Sequence, residues 1–347
     1  MNRIDFYTLE ESEKAAIFNS VAAEFGMTPF AVEKDWWVSR TLEIIFTLDI
    51  GAHLVFKGGT SLSKAWKLIH RFSEDIDLAI DREFFQGYQG NLSRTQIVKL
   101  RKEAGQYTTG TFFTDLKESF IARGFHGLEF TTRDSGESDQ DPRIIQLVYP
   151  NIIPQPSVYV LPRVQIEISC RSLREPFTPK LLGSLVDEYY ADREFAAPPF
   201  IVPTVNAERT FLEKLFLLHE EFHRPFEKIR VNRLSRHLYD IYELTKAGIA
   251  DKAIMDKELY ETIVAHRFKF SRVGDVDYNL HHPQTLNPIP IIEKMTEWKT
   301  DYARMMEEMI YEENKPSFDD LISNLGELRM TLQNTDWLFE LNFPVSK

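Results

Sequence analysis

The sequence predicts an α+β, bilobed protein in which an N-terminal domain with a mixed sheet and flanking helices precedes a C-terminal helical domain. Patterns with strand character end before a linker marked by Pro198, Pro199 and Pro203, and helical patterns fill most of the chain after it. The 347 residues exceed the usual size of one core, although a single large α/β domain is the alternative. We therefore expect domains at 1–200 and 201–347.

Apolar periodicity predicts the individual elements of both domains. Helices are expected at 8–24 and 28–48, the second with Thr28 as N-cap and Pro29 as its first residue. In the rest of the first domain we expect strands at 53–57, 72–80, 126–132, 143–149 and 158–169, a helix from Ser61 to about Ile69, and a mostly helical insertion at 93–123. In the second domain we expect helices at 205–222, 233–246, 248–265, 291–313 and 317–333.

Composition narrows the class of protein. A hydrophobic fraction of 43% with 27% charged residues is ordinary for a soluble globular chain. No apolar run approaches the ~18 residues of a membrane span. The acidic start of the chain does not resemble a signal peptide, so we expect a cytoplasmic protein with no membrane partner. The single cysteine, Cys170, excludes an internal disulfide and a cysteine-rich zinc site.

The charge balance limits how the chain could bind nucleic acid. A net charge of −12 argues against a protein that binds RNA over its whole surface, so any RNA contact must use a local patch. One candidate is the basic segment, residues 223–237, where Glu227 is the only acid. This segment could be a solvated helix face or a phosphate-binding patch, and the sequence does not decide between them.

A glycine pair follows the strand predicted at 53–57. Gly58 and Gly59 would let backbone N–H groups approach a phosphate closely, and the start of the next helix would add further donors. Thr60 and Ser61 offer hydroxyl groups, and Lys57 stands at the strand end. Glycines in such turns also occur for purely steric reasons, so this pattern alone is weak. Combined with the acidic strand one helix later in the chain, it predicts a nucleotide-binding turn.

Two carboxylates lie on one face of that predicted strand. Asp75 and Asp77 are two residues apart and repel each other unless a cation lies between them. Mg²⁺ prefers oxygen ligands and binds through one or two carboxylates plus substrate phosphates, and Mn²⁺ could replace it. The alternative is pairing with nearby arginines, of which Arg71 is closest in sequence. Glu167 lies on the polar face of a later strand and is a candidate third metal ligand.

Four motifs together resemble a known family. FKGGTSLSKAW at 56–66 and RFSEDIDLAI at 71–80 are similar to motifs of the AbiEii toxin family, bacterial proteins of the DNA polymerase β-like nucleotidyltransferase superfamily. ERTFLEKL at 208–215 resembles the family's helix with an essential lysine, and RHLYDIY at 236–242 resembles its later arginine-to-aspartate helix. The motifs occur in the expected order.

The resemblance implies a nucleotidyltransferase-like N-terminal domain and a helical domain that completes the active-site cleft. It implies that the GGTS turn holds a triphosphate, that Asp75 and Asp77 hold Mg²⁺, and that Lys214 and Asp240 are catalytic. From the residues alone, Lys214 could equally be a surface lysine paired with an acid. Asp240 could pair with Arg236 four residues earlier on the same helix.

The implied function is that of a toxin in a bacterial toxin–antitoxin, phage-defence system. The enzyme would transfer a nucleoside monophosphate from a nucleoside triphosphate to an acceptor hydroxyl, with a tRNA 3′ end as the implied RNA acceptor. A cognate antitoxin encoded nearby is the implied partner, and the pair need not form a stable complex. Two alternatives are a GTP- or NTP-binding toxin that captures a partner without transfer, and a nucleotidyltransferase acting on a small hydroxyl compound.

Overall fold

The computed structural model describes residues 5–73, 75–133, 136–138, 140–154, 161–312 and 314–344. The chain forms two compact units. The sheet unit comprises Met1–Trp66 and Phe72–Val205, and the helical unit comprises Lys67–Arg71 and Asn206–Lys347. A five-residue segment that lies between two sheet-unit motifs in sequence is therefore part of the helical unit.

The sheet unit contains the mixed sheet that the sequence predicts, with seven strands where five were expected. Its strands are β1 Leu54–Lys57, β2 Asp75–Ile80, β3 Glu129–Thr132, β4 Arg143–Val148, β5 Arg163–Ser169, β6 Phe177–Leu182 and β7 Phe200–Val205. The spatial order is β3-β4-β5-β2-β1-β7-β6. The β2–β5 and β1–β7 pairs are parallel and the other pairs are antiparallel. Together with the flanking helices, this sheet confirms the predicted fold class.

The helices of the sheet unit are α1 Glu11–Phe25, α2 Pro29–Thr47, α3 Gly58–Lys64, α4 Arg94–Tyr107, α5 Phe113–Ala122 and α6 Leu185–Tyr189. The Thr28 side chain caps α2 by accepting from the Ala31 N–H, and proline occupies the first turn, as predicted. A π-helical turn separates α4 from α5. Among the described helices, none is long and apolar enough to span a membrane alone, and only the α1–α2 pair, bent by 104°, passes that test together.

The structure corrects several sequence-based expectations for the sheet unit. Part of the segment expected to be a linker forms β7, and the sequence did not predict β6. Pro203 faces Pro179 in the β6–β7 register, a position where neither strand donates an N–H to the other, so the prolines do not break the pair. The helix expected to reach Ile69 ends at Lys64, and Lys67 adopts a left-handed φ of 54°. The first residues of the strand expected at 158–169 lie outside the described residues.

The helical unit contains α7 Ala207–Phe222, α8 Ser235–Lys246, α9 Ile249–Met255, α10 Lys257–Phe270, α11 Met295–Glu308 and α12 Phe318–Gln333. Helix α7 packs on α8, α9 and α10, and α8 also packs on α11 and α12. The single helix expected at 248–265 is two helices, because Asp256 interrupts it and caps α10 by accepting from the Leu259 N–H. The core of this unit is therefore built around α7 and α8, which carry the remaining candidate site residues.

Candidate active site

The glycine turn after β1 is shaped by a close approach to β2. Gly58 has a φ of +77°, a backbone conformation that L-residues rarely adopt. A Cβ atom at this position would lie 2.0 Å from Asp77 Oδ2, closer than any non-bonded contact allows. Only glycine fits here, because both the backbone angle and the neighbouring carboxylate exclude a side chain. The glycine motif and the carboxylate motif are therefore in direct contact.

The hydroxyl groups of the GGTS turn hold the turn itself. Thr60 Oγ1 donates to the backbone carbonyl of Asp75 at 2.5 Å and lies 2.9 Å from Ser73 Oγ. Ser61 Oγ donates to the Gly58 carbonyl at 2.9 Å. Both hydroxyls are buried. The groups that the turn can offer to a phosphate are therefore chiefly the backbone N–H groups at the start of α3, which have no partner within the helix.

The C-terminal end of α3 is held by an ion pair with α2. Lys64 Nζ lies 2.5 Å from Asp35 Oδ1, and the other oxygen of Asp35 accepts from the Leu185 N–H at 2.8 Å. Asp35 is on α2, whose side chains are almost all buried. The turn is therefore held between a buried helix and strand β2.

Three predicted metal ligands lie side by side in what we call the carboxylate row, Asp75, Asp77 and Glu167. Asp77 is opposite Glu167 across the parallel β2–β5 pair and opposite Lys57 across the antiparallel β1–β2 pair. Residues paired in register project to the same face of a sheet, so the three carboxylates and Lys57 share one face. All are partly exposed, whereas Ile76 and the other residues on the opposite face are buried.

A glutamine orients the third carboxylate. Gln165 is paired with Asp75 in the β2–β5 register, and its Nε2 donates to Glu167 Oε1 at 2.8 Å. Gln146 Nε2 in turn lies 3.4 Å from Gln165 Oε1. The sequence alternation predicts that Glu167 lies on a polar face, but the pairing of that face with β2 depends on the sheet register.

Lys214 and Asp240, the two predicted residues of the helical unit, form a buried ion pair. Lys214 Nζ on α7 lies 2.9 Å from Asp240 Oδ2 on α8. Arg71, in the Lys67–Arg71 segment of the same unit, donates to both oxygens of Asp240, through Nε at 2.6 Å and Nη2 at 2.8 Å. Asp240 therefore bonds to these two cations rather than to Arg236, and Lys214 is not a surface lysine.

The charged groups of this cluster shift one another's pKa values. Burial alone would raise the pKa of the Asp240 carboxyl, but Arg71 and Lys214 outweigh burial and hold that pKa below its usual value. Burial lowers the pKa of the Lys214 ammonium, and Asp240 opposes part of that shift. Burial and the nearby Lys214 charge also lower the pKa of His237 well below its usual value, so its neutral ring can accept from Lys214, 3.4 Å away.

The basic segment is largely compensated by acids of its own unit. Arg224 and Arg230 both contact the Glu221 carboxylate, at 3.3 and 2.6 Å, and Lys228 lies 2.7 Å from Asp275. These contacts favour a structural role for the three cations over a free phosphate-binding patch.

The sequence reasoning missed two partners of the predicted residues. In the sequence Arg71 is a near neighbour of Asp75 and Asp77, yet its guanidinium binds Asp240, 169 positions away. His237 was not singled out, although it lies beside Lys214. No local spacing signals either contact, because both depend on how α7, α8 and the Lys67–Arg71 segment pack.

Comparisons with known proteins identify a family for the chain. The family described as nucleotidyl transferase AbiEii toxin, type IV toxin–antitoxin system, matches residues 40–324. No curated protein matches the sequence. Among solved structures, the chain is similar to MenT4, a nucleotidyltransferase toxin of Mycobacterium tuberculosis, with 15% identity, a TM-score of 0.41 and coverage of 94% of this chain and 100% of that one. It is also similar to JHP933 from Helicobacter pylori, with 14% identity, a TM-score of 0.38 and coverage of 85% and 88%.

Proposed function

Because this chain belongs to the AbiEii nucleotidyltransferase toxin family, we propose that it transfers a nucleoside monophosphate from a nucleoside triphosphate to the 3′ hydroxyl of an RNA such as tRNA. The observation that carries the proposal is the contact between the glycine turn and the carboxylate row, with Gly58 directly against Asp77 and Glu167 in register beside it. The protein would act in the cytoplasm, where triphosphates and RNA are available, and a cognate antitoxin would restrain it.

The carboxylate row fits a divalent cation. Its donors are carboxylate oxygens, the ligands that Mg²⁺ and Mn²⁺ prefer, and the missing side chain at Gly58 leaves room for the Asp77 carboxylate beside the turn. Asp75, Asp77 and Glu167 would hold the ion. A bound ion supplies charge neutralisation for the triphosphate and for the leaving pyrophosphate.

The remaining residues of the turn would bind and orient the nucleotide. Backbone N–H groups at the start of α3 and the ammonium of Lys57 supply donors for phosphate oxygens. The acceptor oxygen would attack the α-phosphorus. The bond between the α-phosphorus and the oxygen that bridges it to the β-phosphorus would break, and pyrophosphate would leave. The carboxylates of the row are the bases on this face that could take the hydroxyl proton.

Lys214 and Asp240 would have different roles in this proposal. Lys214 would bind phosphate oxygens, as the family resemblance implies. Asp240 is fully buried, and its carboxylate already bonds to Arg71 and Lys214. These contacts favour a role in positioning the Lys214 ammonium over a role as metal ligand or general base.

The direct test uses purified protein, Mg²⁺, total RNA and each of the four triphosphates labelled at the α-phosphate. We expect label in RNA with at least one nucleotide, and no label with the Asp77→Asn variant, which keeps the side-chain shape but weakens metal binding. Unlabelled RNA with all four nucleotides would overturn the transferase proposal.

A second candidate is a nucleotide-binding toxin that acts by capturing a partner without transfer. The net charge of −12 and the compensated basic segment favour it, because they leave few free cations for an RNA chain. The Asp77→Asn variant separates the two candidates. Loss of toxicity with nucleotide binding retained favours chemistry, whereas retained toxicity favours capture.

A further inference from the structure

A second group of metal-ligand side chains lies in the helical unit. His70, Glu243 and Glu312 each offer one ligand atom, and these three atoms lie within 4.8 Å of one another. His70 belongs to the Lys67–Arg71 segment, Glu243 to α8, and Glu312 follows α11. None of the three is part of the family motifs or of the carboxylate row.

The Glu243 carboxylate is buried and has only a long contact with a positive partner. The residue is 6% exposed, and its Oε1 atom has no hydrogen-bond partner among the described residues. It forms an ion pair with Lys246, whose Nζ lies 3.6 Å from that oxygen on a side chain that is 56% exposed. Burial raises the pKa of Glu243, and the nearby Glu312 carboxylate raises it further. A buried carboxylate in this state is stabilised by a cation.

Neighbouring contacts hold the Glu312 carboxylate and the His70 backbone. The buried Tyr239 hydroxyl donates to Glu312 Oε1 at 2.6 Å and accepts from the His70 backbone N–H at 3.3 Å. The His70 carbonyl accepts from the Tyr311 N–H at 3.3 Å. The Tyr239 contact orients the Glu312 carboxylate from behind, as hydrogen bonds to metal-bound carboxylates do in known sites.

We propose that His70, Glu243 and Glu312 bind one divalent transition-metal ion, with Zn²⁺ as the ion of choice. An imidazole nitrogen with two carboxylate oxygens suits a borderline cation better than Mg²⁺, which takes oxygen ligands. Ligand atoms around one Zn²⁺ at about 2.1 Å stand about 3.4 Å apart in a tetrahedron. The site must therefore contract by roughly an ångström, which rotation of the exposed His70 ring can supply.

The ion would link the Lys67–Arg71 segment to α8 and to Glu312. His70 precedes Arg71, and Arg71 pairs with Ile310 in an antiparallel bridge two residues before Glu312. Tyr239 precedes Asp240 on α8. Joining His70 to α8 and to Glu312 would therefore stabilise the Arg71–Asp240–Lys214 cluster next to it. The site is structural in this proposal and does not depend on transferase activity.

The test measures Zn²⁺ bound by the full chain, by competition with a chromophoric chelator, together with Tm with and without Zn²⁺. We expect one equivalent in the wild type that is retained in Asp77→Asn but weakened at least about tenfold in His70→Gln and in Glu312→Gln. Zn²⁺ should raise the Tm of the wild type and not that of these two variants. Lys246→Met should bind Zn²⁺ more tightly, because it removes the cation that competes for Glu243.

The matched control is His126→Gln, which removes an exposed imidazole of the sheet unit and should leave binding unchanged. Zn²⁺ binding that is equal in the wild type, His70→Gln and Glu312→Gln would overturn the proposal. So would an equivalent that is lost in Asp77→Asn alone, because that ion would belong to the carboxylate row.

Discussion

Substituting Gly58 by alanine tests the contact that joins the glycine turn to the carboxylate row. The new residue must adopt a φ near +77°, and its Cβ would lie 2.0 Å from Asp77 Oδ2. The backbone conformation costs about 1–2 kcal/mol for an L-residue. Relief of the overlap costs roughly 1–3 kcal/mol more, as for other overpacked sites, so we expect Gly58→Ala to lower the free energy of unfolding by about 2–5 kcal/mol.

The structure offers a matched control for the backbone part of this cost. Gly124 has a φ of +82°, and a Cβ added there would meet no atom of the described residues within 4 Å. Gly124→Ala should therefore lose only about 1–2 kcal/mol. The difference between the two variants isolates the contact with Asp77.

Urea unfolding followed by circular dichroism measures both free energies, and titration calorimetry measures nucleotide binding by each variant. We expect Gly58→Ala to lose nucleotide binding and Gly124→Ala to keep it. In an Asp77→Ala background, the cost of Gly58→Ala should fall towards that of Gly124→Ala, because the overlapping carboxylate is gone. Equal costs of the two glycine substitutions in the wild type, with nucleotide binding retained by both, would show that the Gly58–Asp77 contact does not shape the turn.

Three further predictions concern the buried charges and the carboxylate row. Asp240→Asn should lower the free energy of unfolding in urea by about 3–5 kcal/mol, because it leaves Arg71 and Lys214 buried without a counter-charge. Lys214→Met should lower it less, since Arg71 still pairs with Asp240. A larger loss for Lys214→Met than for Asp240→Asn would contradict the assignment. Because the folded-state pKa of Asp240 is depressed, its contribution to folding stability is fully present above about pH 4 and is lost as pH falls below that. The free energy of unfolding of Asp240→Asn should therefore fall less steeply with acidification than that of the wild type. Glu167→Gln should raise the Mg²⁺ concentration needed for half-maximal transfer, and an unchanged Mg²⁺ dependence would exclude Glu167 as a ligand.

The local signals of the sequence predicted much of the sheet unit correctly. Thr28 and Pro29 predicted the start of α2, and the alternation around Asp77 and Glu167 predicted which face of each strand is polar. These features depend on residues close together in the chain. The β6–β7 pair was missed because Pro203 indicates a break until its partner Pro179 is known.

The contacts of the candidate site residues depend on packing between distant segments. Nothing near Gly58 in sequence shows that Asp77 lies against it, and nothing near Asp240 shows that Arg71 is its partner. The same holds for His70, whose neighbours come from α8 and from the residues after α11. The sequence therefore identified residue types and motifs, and the register and helix packing supplied their partners.

The decisive comparison uses α-labelled and γ-labelled nucleoside triphosphates as donors to RNA, with the wild type and Asp77→Asn. We expect that the wild type transfers the α-label, that the γ-label stays with the released pyrophosphate, and that Asp77→Asn transfers neither. Transfer of the γ-label, or α-label transfer that is unchanged in Asp77→Asn, would contradict the assignment of the carboxylate row as a nucleotidyltransferase site.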